Sequence, residues 1–193
     1  VVVPGGNLGN TAAFGKALME AKEIGLIDRL PRIAVVQAAS ANPFYQWWRL
    51  GGEYARARAW LAANGREYQA RTIATAIQIG KPVNLPKARL ALQHTRGCVT
   101  EVNDQEIMDA KAKVDSDGIG AEPASCAAVA GLRRLLVEGI ISFKDRVVVV
   151  LTGHLLKDPD ATNGYHAGTL TGYVPGTDER LPLACGYANR PVV

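Results

Sequence analysis

The sequence predicts an α/β fold: an open, mostly parallel, twisted sheet with helices on both faces. Three observations support this fold class. Short, wholly apolar runs such as residues 33–36 are typical of strands that are buried on both faces of a parallel sheet. Segments with apolar residues at helical spacing follow these runs. A loop rich in glycine and asparagine joins the first apolar run to the first helical segment, at the edge where open α/β sheets bind their ligands.

Length and composition indicate one domain of good size with a large core. The chain has 193 residues, a formal net charge of +4, and 48% hydrophobic residues, which argues against disorder. The basic residues between positions 49 and 71 indicate a solvated helix face rather than a nucleic-acid surface. No apolar run approaches a membrane span, and we expect no signal peptide. Cys98, Cys126 and Cys185 lack metal-ligand spacing, so we expect reduced thiols in a cytoplasmic protein.

The first βαβ unit contains the candidate binding loop. We expect a strand at residues 1–3, a helix at residues 11–24 and a strand at residues 33–36. Between the first two, Gly6 and Gly9 can adopt positive φ, while Asn7 and Asn10 can donate hydrogen bonds or cap the helix. Loop amides and the helix dipole together form an anion site. The loop sequence matches neither a P-loop nor a dinucleotide fingerprint. On these residues alone, a capped turn without a ligand is an equal alternative.

The middle of the chain contains an aromatic cluster and several helical segments. Phe44, Tyr45, Trp47 and Trp48 are predicted to pack in the core or at a subunit interface rather than to stack on a substrate. The other expectations are a helix at residues 54–63, a surface loop or short helix at residues 72–82, and a helix at residues 85–94 that carries a surface histidine, His94.

The carboxyl-terminal part begins with a strand at residues 98–102. Asn103 and Glu106 then have the spacing of a capping box at the start of a helix, and Pro123 suits the first turn of the next helix. Residues 146–151 form the strongest predicted strand, which ends at Thr152. We expect residues 1–160 to form the α/β domain and residues 161–193 to form an irregular tail packed on it.

Three segments resemble one enzyme family. They are the Gly-Asn-Leu-Gly-Asn loop at residues 6–10, the Glu-Pro-Ala-Ser helix start at residues 122–125, and the Thr-Gly-His-Leu-Leu-Lys-Asp string at residues 152–158. Together they resemble the carboxyl-terminal part of the threonine synthases, which are pyridoxal-phosphate enzymes of the tryptophan synthase β fold, or fold type II. The last string is specific within the fold, whereas many members share the loop. The resemblance extends to about residue 160.

The resemblance implies a cofactor site and a reaction. Residues Gly6, Asn7, Leu8, Gly9 and Asn10 would hold the phosphate of pyridoxal 5′-phosphate, and Thr152 would hydrogen-bond its pyridine nitrogen. A hydroxyl does not stabilise a protonated pyridine as a carboxylate does, so the ring becomes a milder electron sink, which suits elimination and replacement chemistry. The family converts O-phospho-L-homoserine and water to L-threonine and phosphate, and it suggests a homodimer.

This chemistry also requires a Schiff-base lysine, which the family carries in a Ser-Phe-Lys-Asp-Arg motif of its amino-terminal half. Residues 142–146 have the same letters, but Lys144 precedes the predicted strand whereas Thr152 follows it. Six or seven extended residues at about 3.3 Å each separate the two by about 20 Å, on opposite edges of the sheet. We therefore expect a helix-to-strand turn at residues 142–146 and no catalytic residue in this chain. The amino-terminal half would be missing, and the chain alone would be inactive.

Two alternatives remain open from the sequence. One is another lyase or synthase of the same fold, such as a threonine dehydratase or a cysteine synthase, although the string at residues 152–158 argues against it. The other belongs to a different class, a non-catalytic module that binds a phosphate ligand or mediates oligomerisation.

Overall fold

A computed structural model describes residues 1–51 and 69–185, and its centre is a parallel sheet. The sheet has the order β1 (Val2–Pro4), β2 (Ala34–Ala38), β3 (Cys98–Val102). The helices are α1 (Gly9–Glu23), α2 (Pro43–Arg49), α3 (Leu85–Thr95), α4 (Asp104–Ser116), α5 (Pro123–Val137) and α6 (Pro159–His166). Short 3-10 turns lie at Thr75–Ile77 and Leu155–Lys157, and a hairpin joins β4 (Thr171–Tyr173) to β5 (Arg180–Pro182). The helix predicted at residues 54–63 lies outside the described residues.

Alternating strand residues divide the core into two layers. Val3 and Val35 belong to a cluster with Leu92 of α3 on one face of the sheet. Val2 and Val36 belong to a second cluster with Ile107 of α4, on the other face. Because successive residues of a strand point to opposite faces, both faces are covered by helices. The predicted α/β class is confirmed.

The aromatic cluster packs in the core, as predicted. Phe44 and Trp47 are buried in the first of these layers, and their rings stack with centroids 5.5 Å apart and an interplanar angle of 9°. Tyr45 and Trp48 are partly buried against the same layer. These side chains therefore stabilise α2 against the sheet and do not form a substrate platform.

The capping box at the start of α4 is confirmed. The side-chain oxygen of Asn103 accepts the N–H of Glu106 at 2.9 Å, and the Glu106 carboxylate accepts the N–H of Asn103 at 2.7 Å. Glu106 also pairs with Arg134 of α5 at 3.0 Å. The cap thus fixes the start of α4 and links it to the neighbouring helix.

We expect Asn103→Ala to lower the free energy of unfolding by about 1 kcal/mol, because the Glu106 N–H would lose its acceptor at the helix start. Urea denaturation measures the effect. Asn103→Asp keeps an acceptor oxygen and serves as the control, which should retain wild-type stability. Equal stability of wild type and Asn103→Ala would contradict a stabilising role for this cap.

The prediction of a strand at residues 146–151 is wrong. The segment meets β1 through one parallel bridge, in which Val2 donates to Val148 O at 2.8 Å and Val150 donates to Val2 O at 2.9 Å. Pro4 has no N–H with which to continue the ladder. The Thr152 N–H, next in register, donates instead to Ser125. Regular pairing therefore stops after one bridge, and Val148 remains 62% exposed.

The segment after residue 160 is more regular than predicted. It contains most of α6 and the β4–β5 hairpin, elements too short to show a clear period in the sequence. It packs on the domain, because Tyr165 is buried and donates its hydroxyl to Asp109 at 2.9 Å. The Tyr173 N–H donates to Asp104 at 2.9 Å. The division of the chain at residue 160 stays a prediction.

Within residues 1–51 and 69–185, no helix has both the length and the apolar character needed to cross a membrane.

Candidate functional site

A cleft of about 340 Å³ lies at the carboxyl end of β1. Small-molecule sites occupy roughly 300–1,000 Å³. The five predicted loop residues line this cleft, and Thr152 lines it as well. The sequence-predicted site residues are therefore brought together: Gly6, Asn7, Leu8, Gly9, Asn10 and Thr152. Other residues of the wall were not predicted as site residues, although three of them lie in the segments that resemble the enzyme family: Ala76, Ile77, Glu122, Ala124 and Lys157.

The start of α1 presents backbone donors to the cleft. The helix begins at Gly9, two residues earlier than predicted, and Leu8 is its N-cap residue without any side-chain cap hydrogen bond. The proposed capping role of Asn7 and Asn10 is therefore wrong, because Asn10 already lies inside the first turn. First-turn N–H groups have no acceptor within their own helix, and the helix dipole is positive at this end. This arrangement suits an anion.

Leu8 holds the loop in an unusual conformation. Its backbone is left-handed, with φ 63° and ψ 15°, which costs a non-glycine residue energy. Its side chain is only 3% exposed and belongs to the core layer with Val3 and Val35. Burial of this apolar side chain offsets the backbone strain and keeps the loop in one shape.

Asn7 ties the loop to a neighbouring segment. Its side-chain oxygen accepts the N–H of Val83 at 2.7 Å. Its backbone oxygen accepts two hydrogen bonds from Asn84, one from the backbone N–H at 3.3 Å and one from the side-chain amide at 3.2 Å. The oxygens of Asn7 are thus committed to the protein, which leaves backbone N–H groups and the side-chain amide nitrogen as donors.

Gly6 allows a close approach of two loops. A Cβ atom at this position would lie 2.9 Å from Ala76 O and 3.0 Å from Ile77 Cα, and both are backbone atoms that cannot turn aside. Ile77 is itself 4% exposed. The segment predicted as a surface loop or short helix is therefore a 3-10 turn that forms the back wall of the binding loop.

Gln37 supports the loop from beneath. It is fully buried, donates from Nε2 to Gly5 O at 2.7 Å, and accepts at Oε1 the N–H groups of Phe44 (2.8 Å) and Tyr45 (3.0 Å). One side chain thus joins the binding loop to the start of α2. The signal for it in the sequence was a polar residue in an otherwise apolar strand.

The Thr152 end of the cleft is held by α5. Both the Thr152 and Gly153 N–H groups donate to Ser125 Oγ at 2.8 Å, and the Thr152 hydroxyl lies 3.1 Å from the same atom. A Cβ atom at Gly153 would collide with the Glu122 carboxylate. Glycine at this position therefore lets the buried carboxylate pack beside the loop.

The charged groups of the cleft are paired. Glu122 is 2% exposed, and its Oε2 lies 3.3 Å from Lys157 Nζ. Attraction between them keeps the negative charge of Glu122 from acting alone on a bound anion.

On the buried side of α5, burial raises the pKa of the Cys126 thiol to about 12, so this thiol stays neutral.

Lys144 lies away from this cleft. It is exposed in the turn that precedes residues 146–151. Its neighbours Asp145 and Arg146 line a different cavity, together with Ile33 and Cys98 at the amino ends of β2 and β3. The cleft with Thr152 lies at the carboxyl end of β1. The neighbours of Lys144 thus lie at the amino ends of the strands, opposite the end at which the cleft lies.

The fold and the cleft together define an α/β protein in which a glycine-asparagine loop, the start of a helix and the residue Thr152 line one cleft. Residues 1–153 match the family described as pyridoxal-phosphate dependent enzyme, and the chain belongs to that family. Pyridoxal phosphate is the family's cofactor.

The similar curated proteins are threonine synthases. Threonine synthase 2, chloroplastic, of Arabidopsis thaliana is 40% identical over 192 residues, which cover 100% of this chain and 34% of the relative. The threonine synthase of Methanocaldococcus jannaschii is 44% identical over 162 residues, with 83% and 38% covered. That of Mycobacterium tuberculosis strain H37Rv is 37% identical over 159 residues, with 82% and 39% covered. The chain thus spans between a third and two fifths of the length of these relatives.

Proposed function

We propose that the cleft binds pyridoxal 5′-phosphate. Gly6, Asn7, Leu8, Gly9 and Asn10 would hold its phosphate, and Thr152 would face its pyridine nitrogen. The observation that carries this proposal is that the loop and Thr152 line one cleft of about 340 Å³. A helix start without a side-chain cap fits a dianionic phosphate, and a neutral hydroxyl fits a ring nitrogen, so the residues present suit the group.

When bound, pyridoxal phosphate supplies the electron sink for reactions at the carbon atoms of an amino acid. The chain's residues bind and orient it. Amides of the loop and the α1 dipole bind the phosphate, while Gln37 fixes the preceding Gly5. Thr152 gives the ring nitrogen a neutral partner in place of a carboxylate, so protonation of the ring gains little. Lys157 balances the charge of Glu122 at the cleft wall.

The activity that we propose for the complete enzyme is that of a threonine synthase, the conversion of O-phospho-L-homoserine and water to L-threonine and phosphate. The support is the 37–44% identity to proteins of that name. Because the chain spans 34–39% of those relatives, we assign the reaction to the complete enzyme. Its amino-terminal half would be the partner that supplies the Schiff-base lysine. A homodimer is proposed from the family resemblance alone. A cytoplasmic location is proposed from the three cysteines without metal-ligand spacing, and the lack of a nucleic-acid partner from the spread of the basic residues.

Pyridoxine 5′-phosphate tests the cofactor site, because it lacks the aldehyde and needs no lysine. We expect the chain to bind it and to bind pyridoxine, which lacks the phosphate, at least about 100-fold more weakly, a difference of about 2.7 kcal/mol. Isothermal titration calorimetry measures both affinities. We expect Gly6→Val to remove this preference, because the new side chain would separate the loop from Ala76 and Ile77.

Ala13→Val is the matched control, since it adds the same kind of side chain at an exposed position of α1. It should keep the preference for the phosphate ester. Equal affinity of the wild-type chain for the two ligands would contradict a phosphate site at this loop.

An assay of the complete enzyme distinguishes the reactions. Release of L-threonine and phosphate from O-phospho-L-homoserine supports the proposed activity. Activity on serine or threonine, with none on O-phospho-L-homoserine, would favour a threonine dehydratase or cysteine synthase relative. Cofactor binding without any of these activities would favour a non-catalytic module.

A further inference from the structure

Ser125 is a buried hydroxyl with a complete set of partners at the edge of the cleft. It is the third residue of α5 and is 0% exposed. Its Oγ accepts the N–H groups of Thr152 and Gly153, each at 2.8 Å. Two further oxygens lie near it, Thr152 Oγ1 at 3.1 Å and Gly153 O at 3.4 Å. Ser125 therefore contacts both the backbone and the side chain of the residue proposed to face the pyridine nitrogen.

A count of lone pairs gives these hydrogen bonds a direction. A serine hydroxyl has one hydrogen to donate and two lone pairs that accept. The N–H groups of Thr152 and Gly153 occupy both lone pairs, so the Ser125 hydrogen must be donated. Thr152 Oγ1, at 3.1 Å, lies nearer to Ser125 Oγ than Gly153 O, at 3.4 Å, and is therefore the better placed acceptor. Ser125 is thus the donor and Thr152 Oγ1 the acceptor in their mutual hydrogen bond.

Because Ser125 donates to Thr152 Oγ1, the Thr152 hydroxyl can act as a donor toward the cleft. With a lone pair of its oxygen engaged by Ser125, the Thr152 hydroxyl hydrogen is left to point elsewhere, and Thr152 is exposed on the cleft side. A hydroxyl that accepts one hydrogen bond becomes a stronger donor in the next, because hydrogen bonds in a chain polarise one another. Donation to an aromatic nitrogen stabilises its unprotonated form and so lowers its pKa.

We propose that Ser125 is a positioning residue that makes Thr152 a hydrogen-bond donor to the cofactor's ring nitrogen and thereby keeps that nitrogen unprotonated. This inference rests on the proposed cofactor site. Ser125 itself does not touch the cofactor and acts only through the Thr152 hydroxyl. The order of donation is Ser125 Oγ to Thr152 Oγ1, and Thr152 Oγ1 to the ring nitrogen.

We call the order of donation from Ser125 through Thr152 to the ring nitrogen the hydroxyl relay. The charged groups around the cleft do not take its place. Glu122 and Lys157 are the ionisable side chains that line its described wall, and they lie within 3.3 Å of each other. Their opposite charges largely cancel at the ring. The nearby His154 Nδ1 accepts the N–H of Leu156, and Asp158 accepts the Thr75 hydroxyl at 2.7 Å. These groups are engaged with the protein, whereas the Thr152 hydroxyl hydrogen is free to meet the ring.

Pyridoxine 5′-phosphate labelled with ¹⁵N in its ring reports the inference without any turnover. Its ¹⁵N chemical shift distinguishes protonated from unprotonated ring nitrogen in the complex, and a pH titration gives the pKa of the bound ring. We expect an unprotonated ring at neutral pH with the wild-type chain. In Ser125→Ala the bound ring should take up a proton at least about tenfold more tightly, one pKa unit.

Thr152→Val removes the hydroxyl while leaving the two N–H groups on Ser125, so it tests the relay even where Ser125→Ala fails to fold. It should raise the ring pKa as Ser125→Ala does, and Thr152→Ser should restore the wild-type value. The double variant should match Thr152→Val alone, because Ser125 acts only through that hydroxyl.

The outcomes separate this inference from the proposed function. A ring that is protonated at neutral pH in the wild-type complex, an unchanged pKa in Thr152→Val, or additive effects in the double variant would overturn the relay and leave the cofactor site standing. Failure of the wild-type chain to bind pyridoxine 5′-phosphate would overturn the proposed site and the relay together.

Discussion

Gln37→Leu is expected to lower the free energy of unfolding by about 3–5 kcal/mol, because each buried polar group left without a partner costs roughly 1–3 kcal/mol. The substitution leaves three buried polar groups without a hydrogen-bond partner, namely Gly5 O and the N–H groups of Phe44 and Tyr45. Those two N–H groups belong to the first turn of α2, whose N-cap residue makes no side-chain cap hydrogen bond. Gln37 thus acts as the cap of that helix, and urea denaturation measures its loss.

Gln93→Leu is the matched control for this substitution. Gln93 is exposed on α3, where the same change should alter the free energy of unfolding by less than about 0.5 kcal/mol. A similarly small effect at position 37 would show that the three buried groups find other partners, and the assigned role of Gln37 would be wrong.

Gln37→Glu tests the same site through the dependence of the free energy of unfolding on pH. When protonated, the introduced carboxyl can donate to Gly5 O and accept the two N–H groups of α2. When ionised, it places a buried negative charge beside Gly5 O. The folded state should therefore hold the proton more tightly than the unfolded chain, where the pKa is about 4.3. The variant's free energy of unfolding should fall as pH rises above this value, relative to wild type.

The second large effect is expected at Asp104, where Asp104→Asn should cost about 2–4 kcal/mol. This carboxylate is 4% exposed and accepts the Thr72 hydroxyl at 2.6 Å, the Tyr173 N–H at 2.9 Å and the Ile73 N–H at 3.3 Å. An amide presents an NH₂ group to at least one of these donors. Chemical denaturation measures the loss, and Asp28→Asn, at an exposed position, should be neutral.

Asp104 also predicts a dependence of stability on pH. Burial raises the pKa of its carboxyl above the ordinary value of 3.8, while the hydrogen bonds from Thr72, Tyr173 and Ile73 oppose this in part. The folded state therefore binds the proton more tightly than the unfolded chain, and this component of stability is lost as pH rises from 3.8 through the folded pKa. The decline should be smaller in Asp104→Asn. Parallel pH profiles for the two proteins would contradict the assignment.

The sequence predicted those features whose cause is local. The apolar strands show in consecutive residues, and the capping box shows in the spacing of Asn103 and Glu106. Residues 146–151 misled the prediction because strand pairing also depends on the partner, and Pro4 in β1 ends the ladder after one bridge. The sequence of the valine run does not show that its partner strand ends in a proline.

The same distinction applies to the site. The candidate binding loop and Thr152 were predicted from short motifs, and both line one cleft. Gln37 and Ser125 were missed as supporting residues. Gln37 reaches across 32 positions to Gly5, and Ser125 across 27 positions to Thr152. A polar residue in an apolar strand marks Gln37 as unusual, but the partners of Gln37 and Ser125 depend on the packing of β2 and α5. Sequence patterns a few residues long do not show those partners.

The single bridge between Val2 and Val149 has a consequence for how this chain behaves at high concentration. Val148 is 62% and Leu151 36% exposed, and the peptide groups that alternate with those facing β1 point outward. Such a border is a template for strand addition, through which two copies can associate. Lys144, Asp145 and Arg146 precede the valines directly, and their charges act as gatekeepers against aggregation.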